Sequence, residues 1–122
     1  MASRSVQIHF QNNTNNQLTL MTNVNKALSH GIWSQNDQPP ATISPGTTVQ
    51  FGSESSGFAT GTTGALQYQI DGTHVTVIIM WNNPYAGSNE YGILIFPPSS
   101  TFTGSHSGGS EDNANVTYVL NG

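Results

Sequence analysis

Apolar and polar residues alternate with a period of two in several stretches of this chain, and no segment carries the 3.6-residue period of a helix. Val6, Ile8 and Phe10 alternate with Gln7, His9 and Gln11, the pattern of a strand with one buried face. Leu18 and Leu20, with Val24, continue it after the turn-like cluster from Asn12 to Asn16. Lys26 to Pro45 lacks periodicity and carries Trp33 and Pro39-Pro40, so it reads as a long loop. Pro45-Gly46 then turns into Thr47 to Ser53, where Val49 and Phe51 alternate. Gly52 to Gly64 is small and polar and leads into Ala65 to Ile70.

Asp71-Gly72 is the strongest hairpin signal, because both residues tolerate positive φ between two apolar runs. In the run from His74 to Trp81, Val75, Val77, Ile79 and Trp81 share one face, and Ile78 and Met80 occupy the other. That predicts a central strand buried on both sides. Tyr91 to Phe96 is a further apolar run closed by Pro97-Pro98. Val116, Tyr118 and Leu120 follow a Gly/Ser-rich loop, Gly104 to Gly109, whose glycines read as flexibility. About seven or more short, mostly antiparallel strands and no helix predict an all-β, single-domain sandwich over residues 1–122.

The loop after the most hydrophobic run gathers candidate binding chemistry. Trp81, Asn82, Asn83, Pro84, Tyr85, Ser88, Asn89 and Tyr91 put amphipathic aromatics beside neutral amides. Such rings suit a sugar face, a lipid head group or the membrane interface. Trp33 is the remaining candidate aromatic. Trp81, at the strand end, also fits a core-closing role.

Composition narrows the options. Only 7% of residues are charged, the net charge is -4, and Arg4 and Lys26 are the only Lys or Arg residues. No basic stripe exists to neutralise phosphates, which argues against nucleic acid and against polybasic docking on anionic lipid. With no cysteine, there is no disulfide, thiolate metal site or Cys nucleophile. His9, His30, His74 and His106 are scattered without ligand spacing, no Gly-x-Ser-x-Gly elbow is present, and the six acids are dispersed. The expectation is therefore a binding protein without cofactor or metal and not an enzyme. Met1 to Gln11 lacks the apolar run of a signal peptide, and no segment reaches the ~18 apolar residues of a membrane span. These features predict a soluble protein, cytoplasmic or released by a non-classical route and acting at membrane surfaces.

Ile43-Ser44-Pro45-Gly46, Phe51-Gly52-Ser53-Glu54-Ser55, Gly61-Thr62-Thr63-Gly64, Trp81-Asn82-Asn83-Pro84-Tyr85 and Gly87-Ser88-Asn89 resemble, in order, the pattern of the aegerolysins. A weaker likeness runs from Ala59-Thr60-Gly61 to Tyr85 and points to the actinoporins. The resemblance covers roughly Val6 to Phe96. It implies a β-sandwich that recognises membrane lipids, especially in sphingolipid- and sterol-containing membranes, and that takes part in pore formation or defence as a cytolysin or toxin component. Two departures matter. Aegerolysins usually carry Asp, Cys and Trp where this chain has Asn82, Asn83 and Tyr85, so lipid specificity does not transfer. Actinoporins perforate with an N-terminal helix, whereas this chain enters its first strand by about Ser5, so spanning is left to a pore-forming partner protein.

Fungal fruit-body lectins belong to the related sandwich superfamily and supply the alternative, a glycan-binding protein that stacks sugars on the same rings. A structural or storage protein is the third reading. One buried large side chain contributes ~1.5 to 3 kcal/mol. Three loop aromatics on a monomer therefore bind a membrane weakly, and firm attachment needs a head-group pocket or several copies acting together in a homo-oligomer.

Overall fold

The alternating segments become two facing sheets in a computed structural model, which describes residues 2–122. The strands are β1 (Ser5–Asn13), β2 (Leu18–Leu20), β3 (Leu28–His30), β4 (Ile32–Trp33), β5 (Thr42–Ile43), β6 (Thr48–Glu54), β7 (Thr62–Ile70), β8 (Thr76–Asn83), β9 (Glu90–Phe96), β10 (Thr103–Gly108) and β11 (Asn113–Asn121). One sheet runs β10-β11-β1-β6-β4; the other runs β5-β2-β7-β8-β9, with β3 also pairing β7. The chain is thus an all-β sandwich. All pairings are antiparallel except β1 with β11, which run parallel in register from Ser5/Asn113 to Asn13/Asn121.

The inward residues of each strand form one core. Val6, Ile8 and Phe10 of β1 meet Val116, Tyr118 and Leu120 of β11, and Leu66, Tyr68 and Ile70 of β7 meet Val77, Ile79 and Trp81 of β8. Phe10 packs edge-on against Tyr68 with ring centroids 5.8 Å apart, which joins the two sheets. The buried phenols find acceptors: Tyr68 donates to Pro40 O at 2.8 Å and Tyr118 donates to Met80 O. Burial raises the pKa of both well above the ordinary tyrosine range.

Three expectations are corrected. Lys26 to Pro45 is not one long loop, because it holds β3, β4 and β5, preceded by the 3-10 turn Val24–Lys26. Those strands are two or three residues long, too short to show a period. Gly104 to Gly109 is not a flexible linker, since most of it forms the edge strand β10. Its positions are too small and polar to alternate in hydropathy, but Gly104 lies so close to Ile93 that a Cβ would meet that side chain at 2.8 Å. Strand β8 is not buried on both sides. β9 ends its sheet and no described residue covers the outer face, so Met80, Leu94 and Phe96 are each more than half exposed.

The Asp71-Gly72 hairpin forms as read, although its turn extends through His74, closed by Ile70 N–H donating to Val75 O at 3.0 Å. Strand register also fixes which loops share an end. Ser5 lies opposite Glu54 and Asn113, Ile32 opposite Glu54, Thr62 opposite Asn83, and Asn82 opposite Glu90. One end of the sandwich therefore collects Arg4, Gly31 and the loops 55–61, 84–89 and 109–112.

Candidate functional site

Arg4 precedes β1 and is tied to the end of β6 by two bonds: its N–H donates to Ser55 Oγ at 3.1 Å, and Ser55 N–H donates to Arg4 O at 2.8 Å. Its guanidinium crosses to the β8–β9 loop, donating to Tyr85 O at 2.6 Å and Pro84 O at 3.3 Å. The same group lies 4.7 Å from the centre of the Tyr85 ring, within cation–π range. Asp112 approaches to 3.7 Å, but its side chain is 76% exposed, so this pair contributes no more than about 1 kcal/mol. The backbone carbonyls and the ring, more than the acid, hold the cation in place.

The opposite wall comes from Tyr91 and the β10–β11 loop. Tyr91 Oη donates to Gly109 O at 2.8 Å, while the Asn89 amide donates to Gly109 O at 2.7 Å and to Glu111 O at 2.9 Å. Gly109 has φ +94, and a Cβ there would meet the Tyr91 ring at 2.4 Å. Only glycine lets the phenol lie flat on this loop. Burial raises the Tyr91 pKa, the Asn89 hydrogen bond opposes the shift, and Glu111 adds to it. The exposed His106 ring lies 6.4 Å from Tyr91 and 6.2 Å from Tyr118. Together these groups bound an open cavity of about 560 Å³, lined by Arg4, Ser88, Asn89, Tyr91, His106 and Asp112 among others.

The sequence candidates divide on this geometry. Pro84, Ser88, Asn89 and Tyr91 line the cavity, and Tyr85, 44% exposed, stands at its rim against Arg4. Trp81 and Asn83 do not reach it. They continue the inward face of Val77 and Ile79, and each is 1% exposed. Trp81 Nε1 donates to Ser53 Oγ at 3.0 Å, and the Asn83 amide donates to Ser5 O and Asp112 O at 3.0 and 2.8 Å. Trp33 lies with Trp81 beneath the site, 5.9 Å between rings, with its Nε1 donating to Val24 O. Asn82 turns to the outer face of its sheet, accepting from Thr63 Oγ1 at 2.7 Å and donating to Glu90 Oε1 at 3.4 Å. The reason is strand parity: β8 continues two residues past Trp81, so its alternation and not the loop decides where residues 81 to 83 point.

Arg4, His106 and Gly109 were missed as site residues. Arg4 had a signal in being one of two permanent cations next to the first strand; His106 and Gly109 had none, because a Gly/Ser stretch does not reveal its pairing.

The family model for Aegerolysin matches residues 3–120. The chain belongs to the aegerolysin family. It is 35% identical over 89 residues to an uncharacterized protein of Dictyostelium discoideum, a match that covers 73% of this chain and 8% of that protein. Among solved structures, the lipid binding protein Nakanori superposes with a TM-score of 0.82 at 16% identity, covering all of this chain and 73% of the other. RahU, solved in complex with a TRIS molecule, gives a TM-score of 0.74 at 15% identity over 99% of this chain and 96% of the other. At those identities the likeness carries the fold. The aegerolysin sandwich here thus places a caged arginine and a ring of aromatics at one end.

Proposed function

We propose that this aegerolysin binds membrane-lipid head groups in the cavity bounded by Arg4, Tyr85 and Tyr91. The observation that carries this reading is the fixed Arg4 guanidinium, held on Pro84 O, Tyr85 O and the Tyr85 ring at the mouth of a cavity walled by Tyr91, where the one acid in the lining, Asp112, is largely exposed to solvent. One preorganised cation suits the single phosphate of a head group, and the rings suit its apolar or cationic remainder. Family membership and the likeness in fold to Nakanori, a lipid binding protein, support the same direction. The glycan alternative is weakened, because the Asn82, Asn83 and Asn89 amides are engaged within the protein.

A membrane-perforating role, in this reading, belongs to a partner protein, in keeping with a defence or toxin function. No helix among the described residues is long and apolar enough to cross a membrane, and the long strands are joined into one core. The test is co-sedimentation with vesicles of varied lipid composition beside a glycan array, using the wild type and the Tyr85→Ala/Tyr91→Ala double variant. We expect vesicle binding that falls at least tenfold in the variant, which corresponds to ~1.4 kcal/mol, and no dye release by the protein alone. Glycan binding without vesicle binding would replace this reading with the lectin one.

A further inference from the structure

The loop between β6 and β7 carries an aromatic that the cavity does not use. Phe58 is 96% exposed, so its ring stands clear of the other described residues. The loop under it is nonetheless braced: Thr60 Oγ1 lies 2.9 Å from both Ser56 O and Gly57 O. Gly57 at φ +101 and Ala59 at φ +53 flank the phenylalanine, and an alanine in the left-handed region is held there against its own preference. A short, hydrogen-bonded loop with a glycine turn before an outward ring and a strained alanine after it is built to hold that ring out.

Phe58 has apolar company at this end. Ile32, 51% exposed, lies opposite Glu54 at the base of the loop and lines a shallow cavity of about 390 Å³ with Ser55, Gly57 and Phe58. On the other side, Ala59 to Gly61 face Tyr85 and Ala86 across a depression of about 360 Å³. Phe58, Ile32 and Tyr85 therefore ring the end of the sandwich that holds the Arg4 cavity. Charge decides which surface they fit. That end carries Arg4 as its permanent cation, against Glu54, Glu90, Glu111 and Asp112. An anionic bilayer is repelled, and a zwitterionic one is not.

We propose that Phe58 is a wedge that enters the interfacial layer of a zwitterionic bilayer, with Ile32 and Tyr85 as its flanks. This rests on the lipid-binding reading above and adds the orientation: β-strands upright, with the end bearing Arg4 against the membrane. Head-group capture by the cavity and insertion of Phe58 then act at one contact.

The test uses the full chain carrying Phe58→Trp, with His74→Trp in the exposed turn at the opposite end as control and the wild-type signal of Trp33 and Trp81 subtracted. The vesicles are phosphatidylcholine with brominated acyl chains, sphingomyelin and cholesterol. The expected result is a blue shift and bromine quenching for Phe58→Trp and neither for His74→Trp. Phe58→Ala is expected to weaken vesicle binding about tenfold with an unchanged thermal midpoint. Replacing part of the phosphatidylcholine with phosphatidylserine is expected not to strengthen binding. Vesicle sedimentation without quenching at position 58, or equal quenching in both tryptophan variants, overturns the wedge and leaves lipid binding standing. Failure to sediment with any vesicle overturns both.

Discussion

Asn83 links three strands at the end of the sandwich that holds the Arg4 cavity, and its removal tests whether it is a structural tie or a ligand group. Its amide donates to Ser5 O on β1 and to Asp112 O next to β11, at 3.0 and 2.8 Å, while its Oδ1 is buried without a partner. Each bond is worth about 1 kcal/mol net. Asn83→Ala loses both, gains a small void, and recovers part of the cost of the unpartnered oxygen, for a net loss of about 2 kcal/mol. For a chain of this size that lowers the thermal midpoint by about 6–12 °C. Asn83→Asp goes further, because an ionised carboxylate aimed at two carbonyl oxygens has no hydrogen to give; we expect about 3–5 kcal/mol at neutral pH. The introduced carboxyl has its pKa raised in the folded state, so the stability of this variant recovers as pH falls and the group protonates. Urea denaturation with a constant m value measures both. An Asn83→Ala midpoint within about 0.5 kcal/mol of wild type would refute the structural role.

Trp81→Ala is expected to cost about 3–5 kcal/mol by urea denaturation, because it empties the space between Phe51, Trp33 and Gly64; retained stability would contradict its place in the core. Gly109→Ala should cost about 1–2 kcal/mol in backbone strain and displace the Tyr91 ring, reducing vesicle binding more than stability alone explains; normal binding would show that the Tyr91 wall is dispensable. Burial raises the pKa values of Tyr68, Tyr91 and Tyr118, so the folded state holds their protons more tightly than the unfolded one. Their contribution is fully present below the ordinary tyrosine value near 10 and is lost as pH rises above it, so the thermal midpoint should fall steeply beyond about pH 10 and stay flat on their account below it.

The sandwich was legible because its long strands alternate cleanly: Val6 to Phe10, Leu66 to Ile70, Val75 to Trp81 and Val116 to Leu120 each display their buried face in sequence. β10 was not legible, since Thr103 to Gly108 has no apolar residue to alternate, and its pairing with β11 rests on backbone bonds and the His106–Tyr118 ring contact. Of the candidate loop, Pro84, Ser88, Asn89 and Tyr91 line the cavity, but its outline was drawn too early in the chain. Asn82 and Asn83 looked like loop amides and belong to β8, where parity sends one outward and the other into the core. Arg4 and Phe58 lie 54 residues apart in sequence and share one end of the sandwich because Ser5 pairs with Glu54, a register that local pattern does not specify.

Whether the end of the sandwich that holds Arg4 is the lipid-binding face can be read from amide chemical-shift mapping of the isotope-labelled chain against lipid nanodiscs. Perturbations gathered at Arg4, the loops 55–61 and 84–89, Tyr91, His106 and Gly109 are the expected result. Perturbations centred on the opposite end, at Asn13 to Gln17 and Asp71 to His74, or on the outer face of Met80, Leu94 and Phe96, would contradict it.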